Sequence, residues 1–247
     1  MRRIVVEISG LRFGITYRYD RVTETCRDYI VKDGGRDAGM NGDVYEIKAD
    51  GRDIEKEIRA ASERGGENGI PGKDAAEALA VFRRIAELLP LTGRFLMHGS
   101  AVSLDGEGYL FTAPSGTGKS THASFWKEQF RERAVMVNDD KPFIRVSDGN
   151  VFVCGSPWTG KHRRGTNVQV PLKAVCILRR GAGNRIRPSE RGEYYPELLG
   201  QIYRPAAPEA LASTLTLVDA MLEKVPAYVM ECNTDPSAAL TAYVGMN

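Results

Sequence analysis

The sequence has few cysteines, no long apolar run and almost no net charge. No two of its four cysteines have the spacing of a metal-binding or redox pair; they are Cys26, Cys154, Cys176 and Cys232. We therefore expect buried, reduced thiols and a cytoplasmic protein. No apolar run approaches membrane-spanning length, so no membrane partner is expected. The formal net charge of +2 gives no reason to expect nucleic acid as a partner.

The composition fits a globular protein, and one segment divides the chain. The 247 residues are 42% hydrophobic, which is enough for one large or two small domains. Residues 65–72 form the clearest linker, because they are rich in glycine and contain a proline. We therefore predict a β-rich N-terminal accessory region over 1–72, with strands near 3–9, 11–17 and 43–49. The core is predicted over 73–247.

The most informative stretch is Ala113-Pro114-Ser115-Gly116-Thr117-Gly118-Lys119-Ser120-Thr121. An apolar segment at 109–112 predicts a strand before it, and 120–133 predicts a helix after it. This order of strand, glycine loop and helix is typical of a phosphate-binding loop (P-loop), although the strict motif has glycine where this chain has Ala113. The alternative is a flexible turn that begins an ordinary helix.

The residue types in this stretch suit a nucleoside triphosphate. Glycines let successive backbone N–H groups turn toward one anion, and a helix N-terminus adds partial positive charge. Lys119 would reach the outer phosphates, and the Ser120 hydroxyl would ligate magnesium. We therefore predict that ATP and Mg²⁺ bind at Pro114, Ser115, Gly116, Thr117, Gly118, Lys119, Ser120 and Thr121.

Two carboxylates follow the next predicted strand. Apolar residues 134–137 lead into Asn138-Asp139-Asp140. One carboxylate would hold the metal and the other would accept a proton from an attacking hydroxyl, as phosphoryl transfer requires. The alternative is a surface turn, where such residues are common. His98 precedes these elements, and a lone histidine is more often structural than catalytic.

A basic cluster lies at 155–165, between glycines. Its cations and glycines predict a mobile lid that closes over phosphates, with Lys161 as the expected phosphate contact because it adjoins Gly160. The alternative is a solvated basic loop. The pair Arg179-Arg180 follows a predicted strand and is given little functional weight.

Short strands predict the fold class of the core. They are expected at 95–103, 108–113, 134–138, 142–146, 151–154 and 173–178, with helices near 194–203, 208–223 and 235–243. Residues 105–108 are too few for a parallel crossover, so strands 95–103 and 108–113 are expected to pair in antiparallel fashion. We therefore predict an α/β (α+β) protein with a mixed, largely antiparallel sheet that carries the phosphate-binding loop.

The order of these motifs resembles a known family. His98-Gly99, the hairpin, residues 113–121 and Asp139-Asp140 together resemble the HPr kinase/phosphorylase family and, more distantly, ATP-dependent phosphoenolpyruvate carboxykinase. The resemblance covers about residues 95–180 and, more weakly, the rest of the C-terminal part. It implies a mixed sheet distinct from the usual parallel P-loop fold, the use of ATP and magnesium, and phosphorylation of a serine hydroxyl.

The resemblance also assigns roles to residues. It makes Lys119 the phosphate-binding lysine, Ser120 a magnesium ligand, Asp140 the proton acceptor and His98 the active-site histidine. We expect Asp139 to join Ser120 as a metal ligand. Where the family has a metal-binding glutamate, residues 164–168 contain no acid.

These observations predict an ATP-dependent kinase that acts on a hydroxyl of a protein, peptide or small molecule. The missing glutamate and an N-terminal region unlike that of the family favour an acceptor other than HPr. Two alternatives remain open at this point. One is a non-catalytic nucleotide-binding module, and the other is a lyase of the carboxykinase type, which would need a second divalent metal.

Overall fold

A computed structural model describes residues 1–32, 44–63 and 69–247. The chain divides into two compact units, Met1–Leu88 and Leu89–Asn247. The boundary predicted at 72/73 precedes a helix that the structure assigns to the first unit. Residues 65–68 of the predicted linker lie outside the described residues. The roles predicted for the two regions stay predictions.

The first unit combines a three-stranded sheet with helices. Its elements are β1 (Arg2–Ile8), β2 (Leu11–Tyr17), α1 (Arg21–Cys26), β3 (Val44–Lys48), α2 (Gly51–Glu63) and α3 (Lys73–Leu88). β2 pairs antiparallel with β1 and parallel with β3. The buried Glu77 carboxylate on α3 accepts backbone N–H bonds from Arg18 at 2.9 Å and Tyr19 at 2.8 Å, which tie α3 to the end of β2.

The second unit contains the remaining elements. Its strands are β4 (Arg94–Leu96), β5 (Ser100–Leu104), β6 (Glu107–Thr112), β7 (Ala134–Asn138), β8 (Phe143–Ser147), β9 (Asn150–Cys154), β10 (Gln169–Arg180), β11 (Arg185–Pro188) and β12 (Ala227–Cys232). Its α-helices are α4 (Lys119–Phe130), α5 (Arg191–Leu199), α6 (Pro208–Lys224) and α7 (Ser237–Met246). None of the helices in the described ranges is long and apolar enough to cross a membrane.

These strands form one mixed sheet. The order is β4-β8-β9-β10-β6-β5-β7, and β12 pairs with both β10 and β11. β10 is parallel to β6 and to β12, whereas the other strand pairs described in this sheet are antiparallel. The prediction of a mixed, largely antiparallel sheet is therefore confirmed.

The predicted hairpin is present, but the predicted strand 95–103 is wrong as one continuous element. Asp105 and Gly106 have positive φ values of 51° and 89°, which suit the two-residue turn that joins β5 to β6. β4 pairs with β8 instead of β6. The predicted strand is interrupted between β4 and β5 because the N–H groups of His98 and Gly99 bond to Gln201 O and Asp140 O.

Alternate residues of the sheet pack against helices on its two faces. Leu110 of β6 belongs to the core formed with α5 and α6, whereas Tyr109 and Phe111 belong to the core formed with α4 and α7. This alternation follows from the period of two along a strand. The helices cover both faces, and β6 and β7 end where the chain enters polar segments.

The cysteines are free thiols within the described parts of the chain. Cys26, Cys154 and Cys176 are buried, and Cys232 is partly buried. Burial raises the pKa of the Cys26 thiol to about 12, and it raises the pKa of the Cys176 thiol as well. These cysteines therefore pack as small apolar side chains.

Candidate active site

Residues 113–118, here called the glycine loop, connect β6 to α4. Gly118 is the N-cap of α4 and has a φ of 116°, a backbone conformation that residues with a side chain rarely adopt. No side chain caps this helix, and its first i to i−4 bond runs from His122 N to Gly118 O. The N–H groups of the first turn therefore lack intrahelical acceptors and carry the partial positive charge of the helix.

Lys119 is the first residue of α4 and is buried. Its Nζ donates to the carbonyls of Ala113 at 2.8 Å and Pro114 at 3.2 Å, which use two of its three donors. Burial lowers the pKa of Lys119, and the charge of the Asp140 carboxylate partly offsets this effect. The amine therefore lies within electrostatic range of the carboxylate that follows β7.

Asp139 lies beside the first turn of α4. Its carbonyl accepts hydrogen bonds from Ser100 Oγ at 3.0 Å and Ser120 Oγ at 3.3 Å. Its side chain is buried, and Oδ1 accepts the backbone N–H of Gly160 at 2.6 Å. Oδ2 is also buried and has no hydrogen-bond partner among the described residues.

The residue types of this arrangement suit magnesium. Asp139 has a carboxylate oxygen without a partner in the described part of the chain, the Ser120 hydroxyl bonds to the backbone carbonyl of the same residue, and both are the hard oxygen ligands that Mg²⁺ prefers. Within the described residues, no group of three or more His, Cys, Asp or Glu side chains has the arrangement of a metal site. Magnesium at nucleotide sites characteristically has only one or two carboxylate ligands and takes the rest from phosphate and water.

Asn138 shapes the turn that carries both aspartates. Its Oδ1 accepts the N–H groups of Asp140 at 2.8 Å and Lys141 at 2.6 Å. Its Nδ2 donates to the Ser156 carbonyl at 3.0 Å and to Ser156 Oγ at 3.1 Å. Because Asn138 is fully buried, this turn is held inside the protein and is not the solvated surface turn considered as an alternative.

Asp140 and His98 are adjacent. The distance from Asp140 Oδ1 to His98 Nε2 is 3.4 Å, and Asp140 Oδ2 forms an ion pair with Lys141 Nζ. His98 Nδ1 lies 2.9 Å from Gln201 Oε1. Burial lowers the pKa of His98, with a further contribution from the charge of Lys119. About a quarter of the Asp140 side chain, 23%, is exposed to solvent.

The segment 155–165 is fixed at both ends and exposed at its tip. Residues 155–158 are buried, and Asp139 N donates to Arg164 O at 3.1 Å. The Arg164 guanidinium donates to Ser124 Oγ on α4 at 2.8 Å. Residues 161–163, here called the tip, are exposed; the Arg163 N–H donates to Gly160 O at 3.0 Å, and the three side chains form no hydrogen bond among the described residues. The contact of Lys161 with phosphate stays a prediction, and so does closure of the lid.

Five of the predicted site residues lie close together, and three further residues contact this cluster or the glycine loop; the roles predicted for the site stay predictions. His98, Lys119, Ser120, Asp139 and Asp140 lie in one cluster, as the contacts above describe. Ser100, Gln201 and Arg180 were not given site roles in the sequence analysis. Ser100 adjoins the His98-Gly99 motif, so a local signal existed for it. Gln201 is 103 residues from its partner His98, and no local pattern points to it.

Comparisons with known proteins provide no family for this chain. No family model matches it, and no curated protein matches it. A solved structure of the Hpr(Ser) kinase/phosphatase from Coxiella burnetii is distantly similar, with 15% sequence identity and a TM-score of 0.29. The match covers 52% of this chain and 97% of that chain. At this TM-score the similarity supports no inference about fold or function.

Proposed function

We propose that this chain is an ATP- and magnesium-dependent kinase that transfers phosphate to a hydroxyl group. One observation carries the proposal. The two aspartates after β7 lie beside the uncapped start of α4, where Ser120 bonds to Asp139 and the charge of Asp140 acts on Lys119. Anion-binding N–H groups, a lysine and two carboxylates in one place are the elements that phosphoryl transfer uses.

The glycine loop and Lys119 would bind the phosphates. The first-turn N–H groups of α4 are available to phosphate oxygens because no side chain caps them. Lys119 retains one donor beyond its two carbonyl contacts. Phosphate would also favour the charged lysine, which burial otherwise disfavours.

Ser120 and Asp139 would hold magnesium, which supplies charge neutralisation at the phosphate oxygens when it is bound. The buried and unpartnered Oδ2 of Asp139 supports this role, since an isolated buried carboxylate oxygen is costly without a ligand. Gly160 orients the same carboxylate through Oδ1. The carboxylate is therefore fixed before any ligand arrives.

Asp140 would act as the general base. The oxygen of the acceptor hydroxyl attacks the γ-phosphorus, and the bond from that phosphorus to the β–γ bridging oxygen breaks to release ADP. The hydroxyl proton passes to Asp140. His98 would position this carboxylate through the contact between Nε2 and Oδ1, while Gln201 holds the other side of the imidazole ring. Resemblance and geometry support the same two residues.

The acceptor is proposed to be a hydroxyl of a protein, peptide or small molecule other than HPr, with serine as the first candidate. The serine hydroxyl follows from the resemblance of the motifs. That the acceptor differs from HPr is argued from residues 164–168, where the family has a metal-binding glutamate and this chain has no acid. In the structure the Arg164 carbonyl instead accepts a hydrogen bond from the Asp139 N–H.

The test has two stages. Calorimetry of the purified chain with ATP should show binding that depends on magnesium. Transfer of labelled γ-phosphate should then be measured against serine-containing proteins and peptides encoded beside this chain. Absence of ATP binding would contradict the proposal as a whole. Binding without transfer to any acceptor, and without ATP hydrolysis, would favour the non-catalytic nucleotide-binding module.

A further inference from the structure

Arg180, the last residue of β10, lies against the glycine loop. β10 runs parallel to β6, and Ile177 is opposite Thr112, where β6 ends. The last residues of β10 therefore continue past the end of β6, on the side where the glycine loop begins. Arg180 Nη2 donates to the Gly116 carbonyl at 2.7 Å.

The neighbouring arginine provides a contrast. Arg179 donates to Glu193 at 3.0 Å and to Glu197 at 2.6 Å, so α5 neutralises its charge. Arg180 is exposed and forms no ion pair with an acid in the described portion of the chain. A guanidinium has five N–H donors, and the Gly116 carbonyl occupies one of them. An uncompensated positive charge therefore lies beside the glycine loop.

The contacts of Lys119 leave a role for a second cation. Its Nζ already donates to the carbonyls of Ala113 and Pro114, so it offers one remaining donor to a bound phosphate. An arginine stays protonated at all physiological pH values. It also presents several donors in one plane, which match phosphate oxygens. Arg180 thus brings a permanent charge and several donors to a loop whose lysine has one donor left.

We propose that Arg180 is a nucleotide-binding residue that contacts the outer phosphates of the triphosphate held by the glycine loop. This inference rests on the proposed function, since the ligand is the same nucleotide. The inference adds to the site a cation from another strand, 64 residues after Gly116 in the sequence. The bond to the Gly116 carbonyl fixes the guanidinium at the loop, and its remaining donors bind phosphate.

The experiment uses Arg180→Lys, Arg180→Gln and Arg180→Met in the full chain, with Arg179→Gln as the matched control. Calorimetry compares ATP with AMP in the presence of magnesium. If charge matters, Arg180→Gln and Arg180→Met should each weaken ATP binding roughly tenfold or more, and Arg180→Lys should weaken it less. AMP binding should change little, because AMP lacks the outer phosphates. Arg179→Gln should leave ATP affinity unchanged.

A role limited to holding the loop gives a different pattern. Glutamine still has a donor for the Gly116 carbonyl, so Arg180→Gln would then resemble Arg180→Lys, and ATP and AMP would be affected alike. That result would overturn the proposal. A second measurement needs no variant: phenylglyoxal modification of Arg180, followed by mass spectrometry, should be slowed by ATP and not by AMP. Equal modification rates with the two nucleotides would also contradict it.

Failure of this inference is distinguishable from failure of the proposed function. If the unmodified chain binds no ATP, the kinase proposal and the role of Arg180 both fail. If it binds ATP and all Arg180 variants bind ATP equally well, the nucleotide site stands and only Arg180 is removed from it.

Discussion

The start of α4 and the face that begins at His122, here called the polar end and the aromatic face, have opposite environments. At its start, Lys119 and Ser120 face backbone carbonyls and the carboxylates that follow β7. One turn later, His122 accepts the indole N–H of Trp126 at 3.2 Å and lies edge-on to Phe111 at a centroid distance of 4.4 Å. The polar end therefore has the groups that bind ions, whereas the aromatic face is part of the core.

The two histidines near this helix illustrate the difference. His98 has hydrogen-bonding groups on both ring nitrogens and is partly exposed. His122 is almost completely buried, and its Nδ1 has no partner in the described residues. Burial lowers the pKa of His122 to about 4, so it stays neutral at physiological pH. Surroundings, and not residue type, decide which imidazole is available to a substrate.

The largest expected effect concerns the polar end. Asp140→Asn keeps the shape of the side chain but removes the charge that would accept a proton. Phosphate transfer should fall by about a hundredfold or more, while ATP affinity changes little. Transfer kinetics and calorimetry on the same preparation measure the two quantities. Full transfer activity in Asp140→Asn would rule out the role of general base.

The stability of the protein should depend on pH through His122 in the aromatic face. Because the folded pKa of His122 is about 4 and its ordinary value is 6.5, the unfolded chain binds a proton in this interval that the folded chain does not. The free energy of unfolding should therefore fall as the pH drops from 6.5 to about 4, by up to ~3 kcal/mol. Urea unfolding across this range measures the loss.

Two variants isolate this contribution. His122→Gln keeps an acceptor for Trp126 and should flatten the pH dependence, whereas His162→Gln removes an exposed imidazole and should not. An NMR titration of the unmodified protein provides a check that needs no mutation. Titration of the His122 ring near its ordinary pKa would show that the aromatic face is open to water and would contradict the prediction.

Two lysines on α4 provide the next comparison. Lys119 and Lys127 both donate to backbone carbonyls, but Lys127 bonds to Ala134 and Arg131 near the end of the helix. Lys119→Ala should weaken ATP binding roughly 10- to 100-fold, the range for a charged hydrogen bond. Lys127→Ala should affect stability and leave ATP affinity unchanged. Unaltered affinity in a folded Lys119→Ala protein would refute the assignment of the loop.

The smallest expected effect lies in the tip, which is outside α4. Its exposed cations are screened by solvent, so Lys161→Ala should reduce ATP affinity only a few-fold. Hydrogen exchange with magnesium and a non-hydrolysable triphosphate should show increased protection at 161–163 and at 113–121. Residues 155–158 should already be protected without nucleotide. Unchanged exchange at the tip with nucleotide bound would make it an ordinary basic loop.

Local chemistry let the sequence predict several parts of this structure. The Asp105-Gly106 turn, the helix after Gly118 and the strand before Asp139 depend on neighbours within a few residues. The turn preferences of residues, the absence of a side chain at glycine and the periodicity of apolar residues all act over a few residues, so they can be recognised in the sequence. The grouping of His98, Lys119 and the aspartates was expected only through the order of the motifs.

Tertiary structure decided what depends on distant partners. The break between β4 and β5 follows from bonds to Asp140 and Gln201, and the burial of Asp139 follows from packing of the segment that carries Gly160. Arg179 and Arg180 are adjacent in the sequence, yet α5 neutralises the first and the glycine loop receives the second. The sequence by itself determined residue chemistry and local elements. Only the fold determined which charges are paired, because pairing depends on contacts between segments far apart in the chain.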